Sequence, residues 1–154
     1  MSASKATGPT AARFHHPAPI LPVRDLAASI EHYVRILGFR LDWKDRDALA
    51  SVSRDDCTLF LSQGDQGEPG TWAWIGVNDV RLLHEEYRES GAAIRTPPTN
   101  YPWALEMQVR DPDGNVLRFG SEANLDQPIG VWLDMRGILW RQLSDGTWTE
   151  VEDR

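Results

Sequence analysis

The side chains best suited to contact a small molecule lie in one stretch, from Trp103 to Phe119. Leu105, Met107 and Val109 alternate there with small or polar residues, which is the period of two of a half-buried β-strand. The turn residues Asp111-Pro112-Asp113-Gly114 then predict a β-hairpin whose second strand ends at Phe119. One face of this hairpin enters a core. The other face can orient and stack against a ligand, because it carries a carboxylate, an amide, a guanidinium and an indole: Glu106, Gln108, Arg118 and Trp103.

The composition is typical of a soluble globular protein. The chain has 154 residues, of which 41% are hydrophobic and 25% charged. No apolar run approaches the roughly 20 residues that a membrane helix needs, and the N-terminal stretch lacks the apolar segment of a signal peptide. The single cysteine, Cys57, cannot form an intrachain disulfide, which fits a reducing compartment. We therefore predict a cytoplasmic protein without a membrane partner, with a mobile leader over residues 1–18.

The net charge of −7 argues against nucleic acid as a partner, because binding to phosphates depends on Lys and Arg. An acidic protein can attract a cationic ligand. The charges are unevenly distributed, however: residues 1–119 carry −3 and residues 120–154 carry −4. Much of the acidity therefore belongs to the C-terminal part of the chain and says little about the charge of a binding cleft.

The same series of elements is predicted twice: a strand, a helix and three strands. Asp25 and Asp79 are suited to cap the two helices, because a carboxylate accepts hydrogen bonds from the free amides of a first helical turn. Gly38 and Gly91 are suited to end them. The linker 63–70 separates the halves. The predicted strands are 19–23, 39–44, 48–53 and 57–62 in the first half, and 72–77, 92–95, 104–109 and 115–120 in the second, with a proline-rich loop over 96–102.

A nearly constant offset relates the two halves. The motif that begins the first helix at Val23 recurs at Val77, 54 residues later, and the glycines that end the helices are 53 residues apart. This spacing indicates a duplicated βαβββ unit. We predict an α+β fold of two tandem βαβββ modules, 19–62 and 71–122, whose curled sheets enclose a cleft. A C-terminal β-hairpin extension, residues 123–154, follows them.

The duplicated unit, its VRDL…YVRILGF opening and its RDPDGNVLRF close resemble the vicinal oxygen chelate superfamily. That superfamily includes glyoxalase I, extradiol dioxygenases, fosfomycin-resistance enzymes and bleomycin-resistance proteins. The stretches LASVSRDDCTLFLS, TWAWIGV and PWALEMQVRDPDGNVLRF look most like the bleomycin-resistance proteins. The resemblance covers about residues 19–122.

The resemblance also indicates where a metal ion would be bound, because enzymes of this superfamily use His and Glu from four strand positions. Here those positions are Ala18, Phe60, Trp72 and Arg118. None of these side chains can ligate a divalent cation. The resemblance therefore implies a protein with no metal, no other cofactor and no catalytic residue. A shift of two residues would bring in His16 or Gly120, and Glu122 could join only if the last strand continued.

Aromatic residues occupy the predicted open faces instead. In bleomycin-resistance proteins the drug lies in a groove formed across a dimer, and aromatic rings stack on its planar tail. Leu49 stands where the family can have a phenylalanine, which reduces the stacking surface. From the alternation along the strands and from the resemblance, the predicted ligand-binding residues are Trp43, Phe60, Ser62, Trp72, Trp74, Trp103, Glu106 and Arg118.

Several functions remain open at this point. The first is a metal-free homodimer that sequesters a planar or cationic drug-like molecule of bleomycin type, as in antibiotic resistance. The second is a metal-dependent lyase, isomerase or dioxygenase of the same superfamily. The third is a binding module that acts in regulation or assembly through its C-terminal part. The aromatic residues could also fill a core, and Glu106 could simply pair with Arg118 across the hairpin.

The C-terminal extension carries its own pattern. Trp132, Trp140 and Trp148 recur every eight residues, and Asp145-Gly146 is a strong signal for a type I′ hairpin turn. The strands it joins are predicted at 138–143 and 147–151. Such a hairpin could cover the groove or brace a dimer. The favoured interpretation is an added edge that covers apolar surface.

Overall fold

The computed structural model describes Gly8 and residues 11–152. The predicted α+β fold is confirmed: two four-stranded sheets each pack against one helix, and a smaller sheet follows. The predicted leader falls partly outside the described residues. The elements are β1 (Ile20–Pro22), α1 (Leu26–Arg35), β2 (Arg40–Asp45), β3 (Leu49–Arg54), β4 (Cys57–Ser62), β5 (Trp72–Gly76), α2 (Val80–Ser90), β6 (Ala93–Asn100), β7 (Leu105–Arg110), β8 (Val116–Ser121), β9 (Val131–Leu133), β10 (Leu139–Gln142) and β11 (Trp148–Glu150).

The two modules have the same topology. The first sheet has the strand order β1-β4-β3-β2 and the second has β5-β8-β7-β6, so in each the first strand lies parallel beside the last. The helices begin where their caps predict: the carboxylate of Asp25 accepts from the amide of Ala28 at 3.0 Å, and that of Asp79 from Arg81 at 2.9 Å. Helix α2 ends at Gly91, whose φ of 82° is left-handed.

The core occupies only one face of each sheet. Side chains such as Leu59 in β4 and Met107 in β7 are almost completely buried under the helices, together with Tyr33 and Tyr87. Because successive side chains of a strand point to opposite faces, the alternate residues are left on a face that no helix covers. These two uncovered surfaces are called here the open face of the first sheet and the open face of the second sheet.

The turn between β7 and β8 joins the two modules. Its buried Asp111 accepts a hydrogen bond from the hydroxyl of Tyr33 in α1 at 2.9 Å, and also bonds the amide groups of Asp113 and Asn115. Asn115 in turn donates to the backbone oxygen of Pro22 at 2.8 Å. A turn that the sequence predicts from proline and glycine alone therefore also fixes how the second module sits on the first.

Strand β6 differs from the prediction. The sequence predicts a strand that ends at Arg95 and a loop over 96–102, whereas the strand continues to Asn100 through Pro97 and Pro98. It is an edge strand, and its pairing with β7 is irregular between Thr96 and Thr99. Proline lacks an amide hydrogen and is tolerated at an edge or a bulge, so these prolines interrupt the pairing without ending the strand.

The C-terminal part forms three strands and not only the predicted hairpin. Strands β10 and β11 form that hairpin, and β9 adds to its other side. The segment between β8 and β9 is held by the buried side chain of Asn100, which donates to the backbone oxygens of Asn124 and Gln127 at 2.8 and 3.0 Å. Trp132 packs edge-on against His84 of α2, with ring centres 5.8 Å apart. The C-terminal strands therefore pack against β6 and α2 as a separate sheet, and the interpretation as an added edge stays a prediction.

No helix in the described part of the chain is both long and apolar enough to cross a membrane.

Candidate functional site

The open face of the second sheet brings the residues of the predicted hairpin together with two tryptophans. Trp74 in β5 pairs with Arg118 in β8, and Arg118 pairs with Gln108 in β7. Glu106 lies opposite Gly120 on the same face. The exposed fractions of Trp72, Trp74 and Trp103 are 50%, 59% and 64%. Such exposure is unusual for tryptophan, so these rings form apolar surface that is open to a ligand or a partner.

Glu106 is at the centre of this face. Its Oε1 accepts hydrogen bonds from the indole nitrogens of Trp74 at 3.1 Å and of Trp103 at 2.8 Å, and its Oε2 pairs with Nε of Arg118. Only 2% of the residue is exposed. Three donors converging on two oxygens are satisfied by an ionised carboxylate. The carboxylate therefore fixes two exposed rings and one guanidinium relative to each other.

Gly120 provides the space in which Trp74 lies. A Cβ atom at this position would come within 2.7 Å of Cζ2 and 3.1 Å of Nε1 of the Trp74 indole. The ring can lie close to the backbone of β8 and reach Glu106 because residue 120 has no side chain. Gly76 lies at the other side of the ring, where an added Cβ would be 3.3 Å from Cζ3. The sequence signal for this arrangement is a glycine two residues after Arg118 in a strand, which marks a close approach.

We expect Gly120→Ala to lower the free energy of unfolding by about 1 kcal/mol, the lower end of the cost of overpacking, because the exposed ring can swing into solvent. Trp74 then loses its hydrogen bond to Glu106, and the tryptophan emission should shift to the red. Urea unfolding and fluorescence measure the two effects. Gly76→Ala is the matched control and should change both less. Equal effects of the two substitutions would contradict the conclusion that the missing side chain of Gly120 makes room for the Trp74 ring.

Two arginines lie over aromatic rings on the same face. Tyr101 and Trp103 are stacked with ring centres 5.3 Å apart and an interplanar angle of 8°, and the guanidinium of Arg118 is 5.8 Å from each ring centre. Arg95 reaches across the face from β6, where it lies 5.1 Å from the ring centre of Trp72 and donates to Gln108 Oε1 at 2.8 Å. Sequence reasoning missed Tyr101 and Arg95, because the sequence placed both outside the strands of the sheet or at their ends.

The open face of the first sheet is also aromatic, but smaller. Trp43 and Phe60 pack edge-on at 5.4 Å, and Trp43 is 44% exposed. Beside them, Asp42 accepts hydrogen bonds from the hydroxyls of Ser53 and Ser51 at 2.7 and 3.0 Å. The hydrogen bond from Ser53, followed by that from Ser51, lowers the pKa of Asp42. Ser62 is buried, and Leu49 is half-buried at the end of β3.

The predicted residues thus divide between the two faces. Trp43, Phe60 and Ser62 belong to the first sheet, and Trp72, Trp74, Glu106 and Arg118 to the second. Trp103 lies in the loop between β6 and β7 and bonds Glu106 of the second sheet. On each open face the aromatic contacts join rings of that face, and within the described residues no aromatic contact joins the two faces. Whether these residues bind a ligand stays a prediction.

The side chains at the centre of the two faces do not fit a divalent metal ion. The pairing places Ile20 beside Phe60 and Trp74 beside Arg118, so the strand partners differ by two residues from the predicted Ala18 and Trp72. Neither set supplies an imidazole or a carboxylate. Across the described residues, no three His, Cys, Asp or Glu side chains are grouped closely enough to hold a metal ion. Glu106, the carboxylate of this face, is already bonded to an arginine and two indoles.

A cavity of about 800 Å³ lies between the modules, next to these faces. Trp74 and Thr58 border it, while its floor includes core residues such as Leu59 and Phe119. Two equivalent turns differ in length beside it. The β7–β8 turn spans residues 111–115 and contacts the other module, whereas the β3–β4 turn has only residues 55–56, which line the cavity.

Burial keeps two other titratable groups, Cys57 and His84, in their neutral forms. Burial raises the pKa of the Cys57 thiol, which disfavours the nucleophilic thiolate. Burial, followed by the charge of Arg88, lowers the pKa of His84 to about 4, and its ring packs against Trp132. His84 is therefore a neutral packing residue at neutral pH.

The fold and the sites described above define a protein of two βαβββ modules. A family model described as the Glyoxalase/Bleomycin resistance protein/Dioxygenase superfamily matches residues 13–119. The chain belongs to this superfamily. No curated protein matches this chain.

Solved structures extend the comparison. The bleomycin-binding protein from bleomycin-producing Streptomyces verticillus, in complex with copper(II)-bleomycin, is 30% identical with a TM-score of 0.63, covering 74% of this chain and 100% of that one. TnmS3, an antibiotic-binding protein from Streptomyces sp. CB03234, is 24% identical with a TM-score of 0.63, covering 73% and 100%. TioX from Micromonospora sp. ML1 is 20% identical with a TM-score of 0.62, covering 70% and 99%. The last two show similarity of fold alone.

Proposed function

We propose that this protein binds a planar, drug-like small molecule against its open aromatic faces and sequesters it without a metal ion and without changing it chemically. The observation that carries the proposal is the set of three tryptophans on the second open face, each at least half exposed, of which Glu106 holds two by hydrogen bonds. Rings fixed before binding lose little further freedom when a flat ligand stacks on them.

The comparison with the bleomycin-binding protein supports a drug-like ligand, since that relative is 30% identical over its whole length. The half-buried Leu49 offers no ring to the first open face, which reduces the stacking surface for bleomycin itself. The ligand class proposed here is therefore defined by its planar aromatic part, and the sequestered molecule need not be bleomycin.

A homodimer completes the proposed site. Both open faces keep exposed rings within a single chain: Trp43 on the first sheet is 44% exposed and Trp74 on the second 59%. In a two-fold symmetric pair, the first face of one copy can lie opposite the second face of the other, so that two equivalent clefts form. A ligand held between two aromatic walls buries more of its surface than one held on a single wall. We place this homodimer in the cytoplasm.

The proposal predicts that 9-anthracenemethanol, a neutral planar probe, quenches the tryptophan emission and binds in calorimetry. Protein purified without chelator should contain far less than about one divalent ion per chain, the content of a loaded metal site. Light scattering should give twice the 17.4 kDa chain mass. Copper(II)-bleomycin serves as a second ligand. Failure of the anthracene probe and of related planar compounds to bind, or about one tightly held metal ion per chain, would contradict the proposal.

A further inference from the structure

The ligand charge that the second open face selects can be inferred from the partners of its charged side chains. Among the strand residues of this face, Glu106 is the single acid, and it is both buried and bonded to three donors. A carboxylate has about four lone-pair positions, of which three are taken here. An incoming cation would meet a covered carboxylate that is already paired with Arg118.

The basic side chains of the same face are more accessible. Arg118 uses its Nε hydrogen for Glu106, and its other four N–H groups bond no residue in the described part of the chain. Its side chain is 29% exposed. Two of those N–H groups, at the end of the guanidinium, form the fork that matches a carboxylate or sulfonate.

Two further arginines extend the positive charge. Arg95 is exposed and lies over Trp72. Arg110 follows Glu106 and Gln108 in the alternation of β7 and is exposed at the end of that strand. Three guanidinium groups therefore share a face with one paired carboxylate, although the whole protein carries a net charge of −7.

The open face of the first sheet does not cancel this charge. It carries two carboxylates, Asp42 and Asp45. Asp42 bonds two serine hydroxyls and the guanidinium of Arg40 at 3.2 Å, and Asp45 pairs with Arg46 at 3.3 Å. If that face forms the opposite wall of the cleft, it therefore adds two compensated pairs and no excess of negative charge.

We propose that the ligand is a planar aromatic anion, whose ring stacks on Trp74 and Trp103 and whose carboxylate or sulfonate is bound by Arg118. This inference rests on the proposed function, since it concerns the ligand of the same face. It assigns to Arg118 the recognition of charge and to the tryptophans the recognition of shape. A cationic ligand, which the net charge of the chain suggests, is disfavoured at this face, because the one carboxylate among its strand residues is buried and already bonded.

Three probes with one ring system and different charge test the inference: 9-anthracenecarboxylate, 9-anthracenemethanol and 9-anthracenemethylammonium. Tryptophan quenching and calorimetry give each dissociation constant. We expect the carboxylate to bind at least about tenfold tighter than the alcohol, the usual size of a hydrogen-bonded charge pair, and the ammonium to bind most weakly. The preference for the anion should decrease as salt rises from 50 to 500 mM, because partly exposed charges are screened.

Arg118→Gln should remove most of the preference for the carboxylate, and Arg95→Gln, which leaves Glu106 and its partners untouched, should reduce it less. The salt series on the unaltered protein tests the inference even if Arg118→Gln does not fold. Alcohol or ammonium binding as tight as that of the carboxylate would overturn the inference and leave the proposed function standing. A preference that persists in Arg118→Gln would also overturn it. Absence of binding by all three probes would overturn both.

Discussion

Glu106→Gln should lower the free energy of unfolding by about 2 to 3 kcal/mol. The amide keeps the shape of the side chain and one oxygen for the indoles of Trp74 and Trp103. It loses the charge that pairs with Arg118, and its NH2 group then faces the Nε–H of that arginine, so that two donors meet. Removing one partner of a buried ion pair usually costs more than this, and the partial exposure of Arg118 reduces the cost.

Urea unfolding followed by circular dichroism measures this change. Glu122→Gln is the matched control, because Glu122 is exposed just beyond β8 and its replacement should change stability by less than about 0.5 kcal/mol. Glu106→Gln should also weaken the binding of planar ligands, since a neutral amide oxygen is a weaker acceptor than a carboxylate for the two indoles that it fixes. Stability of Glu106→Gln equal to that of the control would show that the carboxylate does not hold the face together.

Trp103→Ala should weaken binding of a planar ligand by about 1 to 3 kcal/mol, or roughly 5- to 150-fold. The indole presents a 64% exposed face, stacks on Tyr101 and lies under the guanidinium of Arg118. Its removal takes away a wall of the proposed site and one of the contacts that position Arg118. Stability should change less than affinity, because most of this ring is outside the core.

Calorimetry with the tightest-binding anthracene probe measures the loss. Trp103→Phe is the matched variant: it keeps an aromatic ring but has no N–H for Glu106, so it should retain most of the affinity. Affinity that is kept in Trp103→Phe and lost in Trp103→Ala would show that the ligand depends on the stacking surface of the ring more than on the hydrogen bond that positions the ring. Unchanged affinity in Trp103→Ala would remove Trp103 from the proposed site while leaving the role of Glu106 to be judged by its own substitution.

The elements that local patterns specify were predicted closely. Strand β4 has the predicted bounds, and both helices begin after their aspartate caps. These features depend on neighbouring residues only: the alternation of apolar side chains, and a carboxylate within reach of free amides. The duplication of the module and the superfamily followed from the same local patterns and their spacing.

The sequence alone also determined which residue types occupy the two open faces, because a strand of known register assigns each side chain to one side. It left open whether Glu106 would be solvated, paired or available to a ligand. It predicted the end of β6 wrongly, since whether a proline ends a strand depends on whether its missing amide hydrogen faces a neighbour. It also did not predict β9, which is fixed by contacts with β6 and α2.

Only the tertiary structure decided what the charged groups do. Glu106 is bonded to Trp74, 32 residues earlier in the chain, and Arg95 crosses the sheet to Trp72. The reason is geometric: a sheet brings distant strands within hydrogen-bonding distance, and side-chain partners depend on register and on space such as that left by Gly120. Composition gave the sign of the net charge, but burial and pairing determine which charges remain accessible on the open face.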